Sequence, residues 1–225
     1  MQEMEELYSF ENERMCELEN LAVSKGYRFI GGIDEAGRGA LAGPVVAACV
    51  ILDRRNIPSG IADSKSLGIS KRESLYGKIW KTAHCVGIGI VAPIMIDRIN
   101  ILKATELAMK KAITSMYVKP DFLLIDAVKL PGMSIYSLSP TKGEQKSVSI
   151  AAASIIAKVH RDRIMMSISK KYPHYDFSLH KGYGTALHKK HLFEYGPSEV
   201  HRYSYKPVLK VYNLWRLKNP KYPGQ

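Results

Sequence analysis

Three places in the sequence put carboxylates where burial is costly. Asp34 and Glu35 end the run RFIGGI, Asp126 directly follows Phe122-Leu123-Leu124-Ile125, and Glu144 lies in the polar stretch TKGEQKS. A carboxylate at the end of an apolar strand loses hydration, which destabilises its charged form unless a cation or hydrogen-bond donors compensate. Taken singly, each acid reads as a buried salt bridge or a helix cap. Four together, flanking strands of a basic protein, read as an all-oxygen site for a hard divalent ion, Mg²⁺ or Mn²⁺. Two such ions, roughly 4 Å apart, can drive in-line hydrolysis of a phosphodiester without a protein nucleophile. The sequence has no G-x-S-x-G and no Cys–His pattern that would supply one. The turn after the acid pair, Gly37-Arg38-Gly39, lets backbone groups approach a ligand and offers a guanidinium for a phosphate or a groove.

The elements that must hold these residues alternate. Apolar runs at about 28–35, 45–52, 85–92 and 121–128 predict strands, the last starting after Pro120. Periodicity predicts helices at 70–82, 102–117 and 146–170, the last rich in Ala and Ile and ended by Pro173. Shorter helical pieces fall near 186–195 and 207–216. Leu7, Phe10, Met15, Leu18 and Leu21 lie loosely on one face of an N-terminal helix that Gly26 closes. Strands interleaved with helices predict an α/β domain on a central mixed sheet, the first three strands forming an antiparallel meander. A division into an extension (1–27), a catalytic domain (28–173) and a helical, substrate-binding C-terminal region (174–225) follows.

Composition narrows the partner. Lys and Arg outnumber Asp and Glu by 33 to 21, a net charge of +12. General solubility is one reading, and a polyanion, nucleic acid or an anionic membrane, is the sharper one. No apolar run approaches the roughly 18–20 residues that span a bilayer, and the acidic N-terminus resembles neither a signal nor a transit peptide. Cys16, Cys49 and Cys85 form no CxxC pair; Cys49 and Cys85 read as buried small hydrophobes, which fits a reducing cytoplasm.

IDEAGRGALAGPVVAACVIL (33–52) resembles the leading motif of the ribonuclease HII family. The resemblance continues through ADSKSL (62–67), LLIDAV (123–128), KGE (142–144) with SIAAASIIAKVHRDR (149–163), and HKGYGT (180–185), in the family's order. It implies a ribonuclease H-like fold with a five-stranded mixed sheet and a small helical C-terminal subdomain. It also implies an endonuclease using two divalent ions, Mg²⁺ or Mn²⁺. Such an enzyme cuts the RNA strand of RNA/DNA hybrids and cuts 5′ of single ribonucleotides embedded in duplex DNA, leaving 5′-phosphate and 3′-hydroxyl ends. Ribonucleotide excision repair and primer removal are the implied roles, for a cytoplasmic monomer. Asp34, Glu35 and Asp126 fall on the family's metal-binding carboxylates. The fourth is Asp in the family's usual KGD triplet and Glu144 in this sequence, a departure that keeps the charge but moves the oxygens by about one methylene. By the same resemblance Gly37, Arg38 and Gly39 read the ribose 2′-hydroxyl, and Tyr183 packs on the sugar past the scissile junction. Ser64, Lys65, Ser154, Lys158 and Lys181 become phosphate or sugar contacts. The 2′-hydroxyl is the group that distinguishes RNA from DNA.

Other readings stand beside these. Ser154, Lys158 and Arg161 recur at i, i+4 and i+7, which also describes the solvated side of a helix. Asp162 reads better as a partner of a neighbouring Arg than as a metal ligand. His180, His188, His191 and His201 read as surface residues rather than zinc ligands, one of them a candidate for proton transfer or phosphate contact. HRYSY (201–205) reads as packing near the site. Among whole-protein alternatives, ribonuclease HIII carries an N-terminal platform and G-T-G where this sequence has G-R-G. A resolvase-like DNA nuclease would not require Tyr183 or the G-R-G turn. A non-catalytic binding module would not keep carboxylates that repel a phosphate backbone.

Overall fold

The apolar runs form the sheet. They give β1 (Ile30–Ala36), β2 (Val45–Ile51), β3 (Cys85–Val91) and β4 (Phe122–Ile125), and a fifth strand, β5 (Tyr136–Leu138), joins them. The computed structural model describes residues 15–61, 67–126 and 128–218; Leu7, Phe10, Ser64 and Lys65 lie outside these. The strand order is β3-β2-β1-β4-β5. β1 is antiparallel to β2 and parallel to β4, and β4 is parallel to β5, so the sheet is mixed as expected. Every residue of β2 is buried, as a strand covered on both faces requires, whereas β3 at the edge alternates. Sequence reading did not place β5: its three residues are all exposed and carry no apolar run.

The helices are α1 (Glu17–Ser24), α2 (Ile69–Thr82), α3 (Pro93–Ser115), α4 (Val148–Lys171), α5 (Phe177–His180), α6 (Ala186–Tyr195) and α7 (Lys206–Lys218). The short α5 was not expected, and two others differ from expectation. α3 begins nine residues before the expected Leu102 because it is two helices joined at Asn100, which has φ 64°. The Asn100 carboxamide oxygen accepts the Lys103 N–H at 3.1 Å, capping the second piece, which is the one that periodicity revealed. α1 buries Glu19 and Ala22 rather than an apolar face, and Leu21 is exposed. Glu19 Oε1 accepts the Ser147 hydroxyl at 2.6 Å and the Ser149 N–H at 3.0 Å, so a carboxylate far back in the sequence caps the start of α4.

The chain divides into two compact units. The first takes in residues up to Ala36, Val46–Ile90 and Glu106–Val159; the second takes in Gly37–Val45, Val91–Thr105 and residues from His160 onward. In the first, the small residues Ala151, Ala152, Ala153 and Ala157 of α4 pack in one cluster with Ala48, Val50 and Leu52. Gly32 of β1 lies close against the start of α4: a β-carbon there would lie 2.0 Å from the Ser149 carbonyl carbon. Only glycine lets α4 start this near the sheet. In the second unit, Ala42, Met165, Tyr175 and Phe177 form one apolar cluster and Leu41, Leu192 and Val208 another. Among the described residues no helix is long and apolar enough to cross a membrane.

Candidate active site

The register of β1 and β4 places the first acids. Ile33 pairs with Ile125, and the Asp126 N–H extends the ladder to the Ile33 carbonyl at 3.1 Å. Asp34 and Asp126 are therefore neighbours at the carboxyl ends of adjacent parallel strands, where ligands of open α/β sheets commonly bind. β4 stops at Ile125, so Asp126 lies just past the strand rather than inside the expected run to residue 128. Asp126 Oδ1 accepts the Gly143 N–H at 2.8 Å, which draws the 3₁₀ turn Gly143–Gln145, and with it Glu144, to the end of β4. Glu144 is 3% exposed, an unusual burial for a carboxylate, and Oε2 of Glu35 is buried too.

Electrostatics ties the acids together. Burial pushes the Asp34 carboxyl up to about 8, and the negative charges of Glu35 and then Asp126 push the same way. The Ser154 hydroxyl and the Glu35 N–H, at 2.7 Å from Oδ1, donate to Asp34 and oppose the rise. Thus Glu35 and Asp126 both act on Asp34, and Ser154, expected at a phosphate or sugar, bonds to Asp34. Among the described residues no three His, Cys, Asp or Glu side chains form a closed metal-binding group. The donor set nevertheless fits a hard divalent cation: it is all oxygen and negatively charged, and burial pushes Asp34 toward protonation. Lys158, on the same unit, is half-buried.

The second unit carries the glycine turn and Tyr183, and two buried arginines organise them. Arg161 is fully buried, which corrects the solvated-side reading. Its Nε donates to Pro44 O at 2.9 Å and its two terminal nitrogens to Lys181 O at 3.0 Å and Ala42 O at 3.1 Å. Its guanidinium also lies 5.2 Å from the Tyr183 ring centroid. Arg202, also fully buried, donates to Gly43 O from two nitrogens and to Arg38 O at 2.9 Å. The Tyr205 hydroxyl donates to Arg38 O as well, at 2.6 Å, so HRYSY does pack on the turn. Gly37 has φ +96°, and a β-carbon on it would lie 2.0 Å from Arg161 Nε; both facts demand glycine. Arg38 and Gly39 are exposed, whereas Lys181 and Tyr183 are half-buried.

The histidine reading needs correction as well. His180, His188 and His201 are buried, because each ring meets backbone groups that need its nitrogens. Cys16, Cys49 and Cys85 are all buried. Sequence reasoning missed Glu19 and the roles of Arg161 and Arg202. Its one available signal was the run of backbone carbonyls in the Gly- and Pro-containing loop 37–45, which needs donors from elsewhere.

Comparison with solved structures gives the class: the fold is that of type 2 ribonucleases H. The crystal structure of ribonuclease H2 from Pyrococcus horikoshii superposes with a TM-score of 0.75 at 26% identity, covering 84% of this chain and 99% of that one. The ribonuclease HII family model matches residues 31–208. Ribonuclease HII of Caldicellulosiruptor bescii is 49% identical over 202 residues, 89% of this chain and 98% of that protein. Ribonuclease HII of Bacillus subtilis is 50% identical over 194 residues, covering 86% and 76% respectively. The chain belongs to the ribonuclease HII family, and its activity is that of a ribonuclease H endonuclease.

Proposed function

We propose that this endonuclease hydrolyses the RNA strand of RNA/DNA hybrids and cuts 5′ of single ribonucleotides embedded in duplex DNA. Asp34, Glu35, Asp126 and Glu144 would hold two divalent cations, Mg²⁺ or Mn²⁺. The observation that carries this is Asp34: a carboxyl buried at a strand end and pushed up to about 8, with the like charges of Glu35 and Asp126 acting on it. Such a cluster is a liability to the fold unless cations bind it. When bound, a pair of these ions supplies Lewis-acid chemistry for in-line phosphodiester hydrolysis.

The chain's own residues do the rest. The Ser154 hydroxyl and the Glu35 N–H orient the Asp34 carboxylate, and the Gly143 N–H orients that of Asp126. In the second unit, Gly37, Arg38 and Gly39 read the ribose 2′-hydroxyl through a turn whose carbonyls Arg202 holds. Tyr183 packs on the deoxyribose that follows the scissile junction, an aromatic face against a sugar lacking the hydroxyl. Lys158 and Lys181 contact phosphates, as do Ser64 and Lys65, and the net charge of +12 draws in the polyanion. The products would carry 5′-phosphate and 3′-hydroxyl ends, and the roles that go with this reading are ribonucleotide excision repair and primer removal by a cytoplasmic monomer.

A duplex with one ribonucleotide, incubated with Mg²⁺ or Mn²⁺ and with a chelator, tests the chemistry. Cleavage 5′ of the ribonucleotide, giving those ends only when metal is present, is expected. Full activity in the chelator, or a 2′,3′-cyclic phosphate product, contradicts the proposal.

A further inference from the structure

A chain of hydrogen bonds running through two buried imidazoles ends on the residue assigned to sense the sugar. The His188 ring is fully buried and its Nδ1 lies 3.0 Å from the Tyr183 carbonyl oxygen. Its Nε2 lies 3.0 Å from Nε2 of His201, which is 1% exposed. At the far end, His201 Nδ1 lies 3.0 Å from the Ser198 N–H and 2.9 Å from the Ser198 hydroxyl.

The roles of the two backbone groups are fixed, and they settle every proton between them. A carbonyl only accepts, so His188 Nδ1 carries a proton and its Nε2 is the acceptor. A backbone N–H only donates, so His201 Nδ1 is the acceptor and its Nε2 carries the proton. The central contact is then a donor meeting an acceptor, Nε2–H of His201 to Nε2 of His188. Both ends independently give the same polarity. A proton added to either ring would set two N–H groups against each other at 3.0 Å. Burial accordingly pushes His188 down to about 4 and His201 to about 3, keeping both neutral.

His180 adds a second clamp on the same loop. Its ring stacks on that of His188 with centroids 4.3 Å apart, its Nδ1 accepts the Gly182 N–H at 3.2 Å, and its Nε2–H donates to Tyr175 O at 2.8 Å. The Gly182 carbonyl is taken by the Leu41 N–H at 2.8 Å and the Tyr183 N–H by His180 O at 2.9 Å. The backbone of Gly182 and Tyr183 is thus gripped at both of its N–H and both of its C=O groups.

We infer that the neutral chain Ser198–His201–His188, with the second histidine in its Nδ1–H form, is the positioning device that aims Tyr183. His188 acts through Tyr183 and touches no reacting atom. The inference rests on the reading of Tyr183 as the sugar-sensing residue. A misplacement of about 1 Å at such a residue can cost up to about a hundredfold in rate. The expected cost falls on the substrate that depends on Tyr183.

The test compares kcat/KM on a single-ribonucleotide duplex with kcat/KM on a uniform RNA/DNA hybrid, for variants whose folding is checked by thermal unfolding. His188→Phe should lower the ratio about tenfold or more. His188→Asn, whose amide nitrogen replaces Nδ1–H, should hold it within about twofold. In a Tyr183→Ala background His188→Phe should leave the ratio unchanged, since two residues acting as one unit are not additive. Nitrogen-15 shifts of the imidazoles, read on the unmodified protein at neutral pH, should show His188 as the Nδ1–H form and His180 and His201 as Nε2–H forms. If Tyr183→Ala lowers the ratio but His188→Phe does not, the inference is wrong while the reading of Tyr183 stands. If Tyr183→Ala leaves the ratio unchanged, that reading falls and the positioning role with it. An Nε2–H form at His188 overturns the chain whatever the kinetics.

Discussion

The residues we assign to the chemistry and those that hold them in place obey different sequence rules. Asp34, Glu35 and Asp126 stood out because a carboxylate against an apolar run is a local contrast, visible without knowing the fold, whereas Glu144, in a polar stretch, stood out through its place in the family's KGD-like triplet. Arg161 and Arg202 did not: the Pro44 and Gly43 carbonyls that they hold lie 117 and 159 residues away, in a loop whose carbonyls make no pattern of their own. Helical spacing even pointed the wrong way for Arg161, since i+7 from Ser154 describes a solvated face as well as a functional one. Two expected outcomes belong at this scale. Asp126→Asn should nearly abolish turnover while leaving hybrid binding largely intact, measured by single-turnover kinetics beside a binding titration; substantial residual turnover would remove Asp126 from the ligand set. Arg161→Met should cost about 3 kcal/mol or more in denaturant unfolding, because three carbonyls lose a buried donor. Lys170→Met on the exposed end of α4 should stay within about 0.5 kcal/mol, and equal effects of the two would contradict the role of the buried arginine.

The strands and long helices were readable where burial is continuous or one-sided, as in β1, β2, β4 and α4. They were not where a short polar feature decides. β5 is three exposed residues, the first half of α3 is set off by Asn100, and α1 buries a glutamate for the sake of another helix's N-terminus. The loop after α5 and the helix α6 depend on histidines kept neutral, which links their stability to pH. The folded values are depressed, to about 4 for His188 and about 3 for His201, against 6.5 when unfolded. The contribution is therefore fully present above pH 6.5 and is lost as pH falls from there toward the folded values. The pair should therefore make the protein progressively less stable as pH falls through that window. Asp176, Lys181 and His191 are the charged or titratable neighbours of the cluster. Urea unfolding followed between pH 7.5 and 5 should show this slope, and His188→Asn should flatten it; a slope unchanged in that variant would place the pH dependence elsewhere.

At the scale of the molecule, the excess of positive charge was plain in the composition, but charge alone named only a polyanion. The intact carboxylate set and the family match turn that into a nuclease. Charge also predicts kinetics: log kcat/KM at low substrate should fall linearly with log salt. Lys158→Ala and Lys181→Ala should each make the slope shallower by about one unit while weakening all nucleic-acid substrates alike. An unchanged slope would remove that lysine from the phosphate contacts. The central claim is that a ribonucleotide joined to DNA is what this enzyme recognises. Its most direct test sets a DNA duplex carrying one ribonucleotide beside the same duplex made wholly of DNA, with metal present. Cleavage 5′ of the ribonucleotide and none of the all-DNA control is the expected result; equal cutting of both would contradict the account.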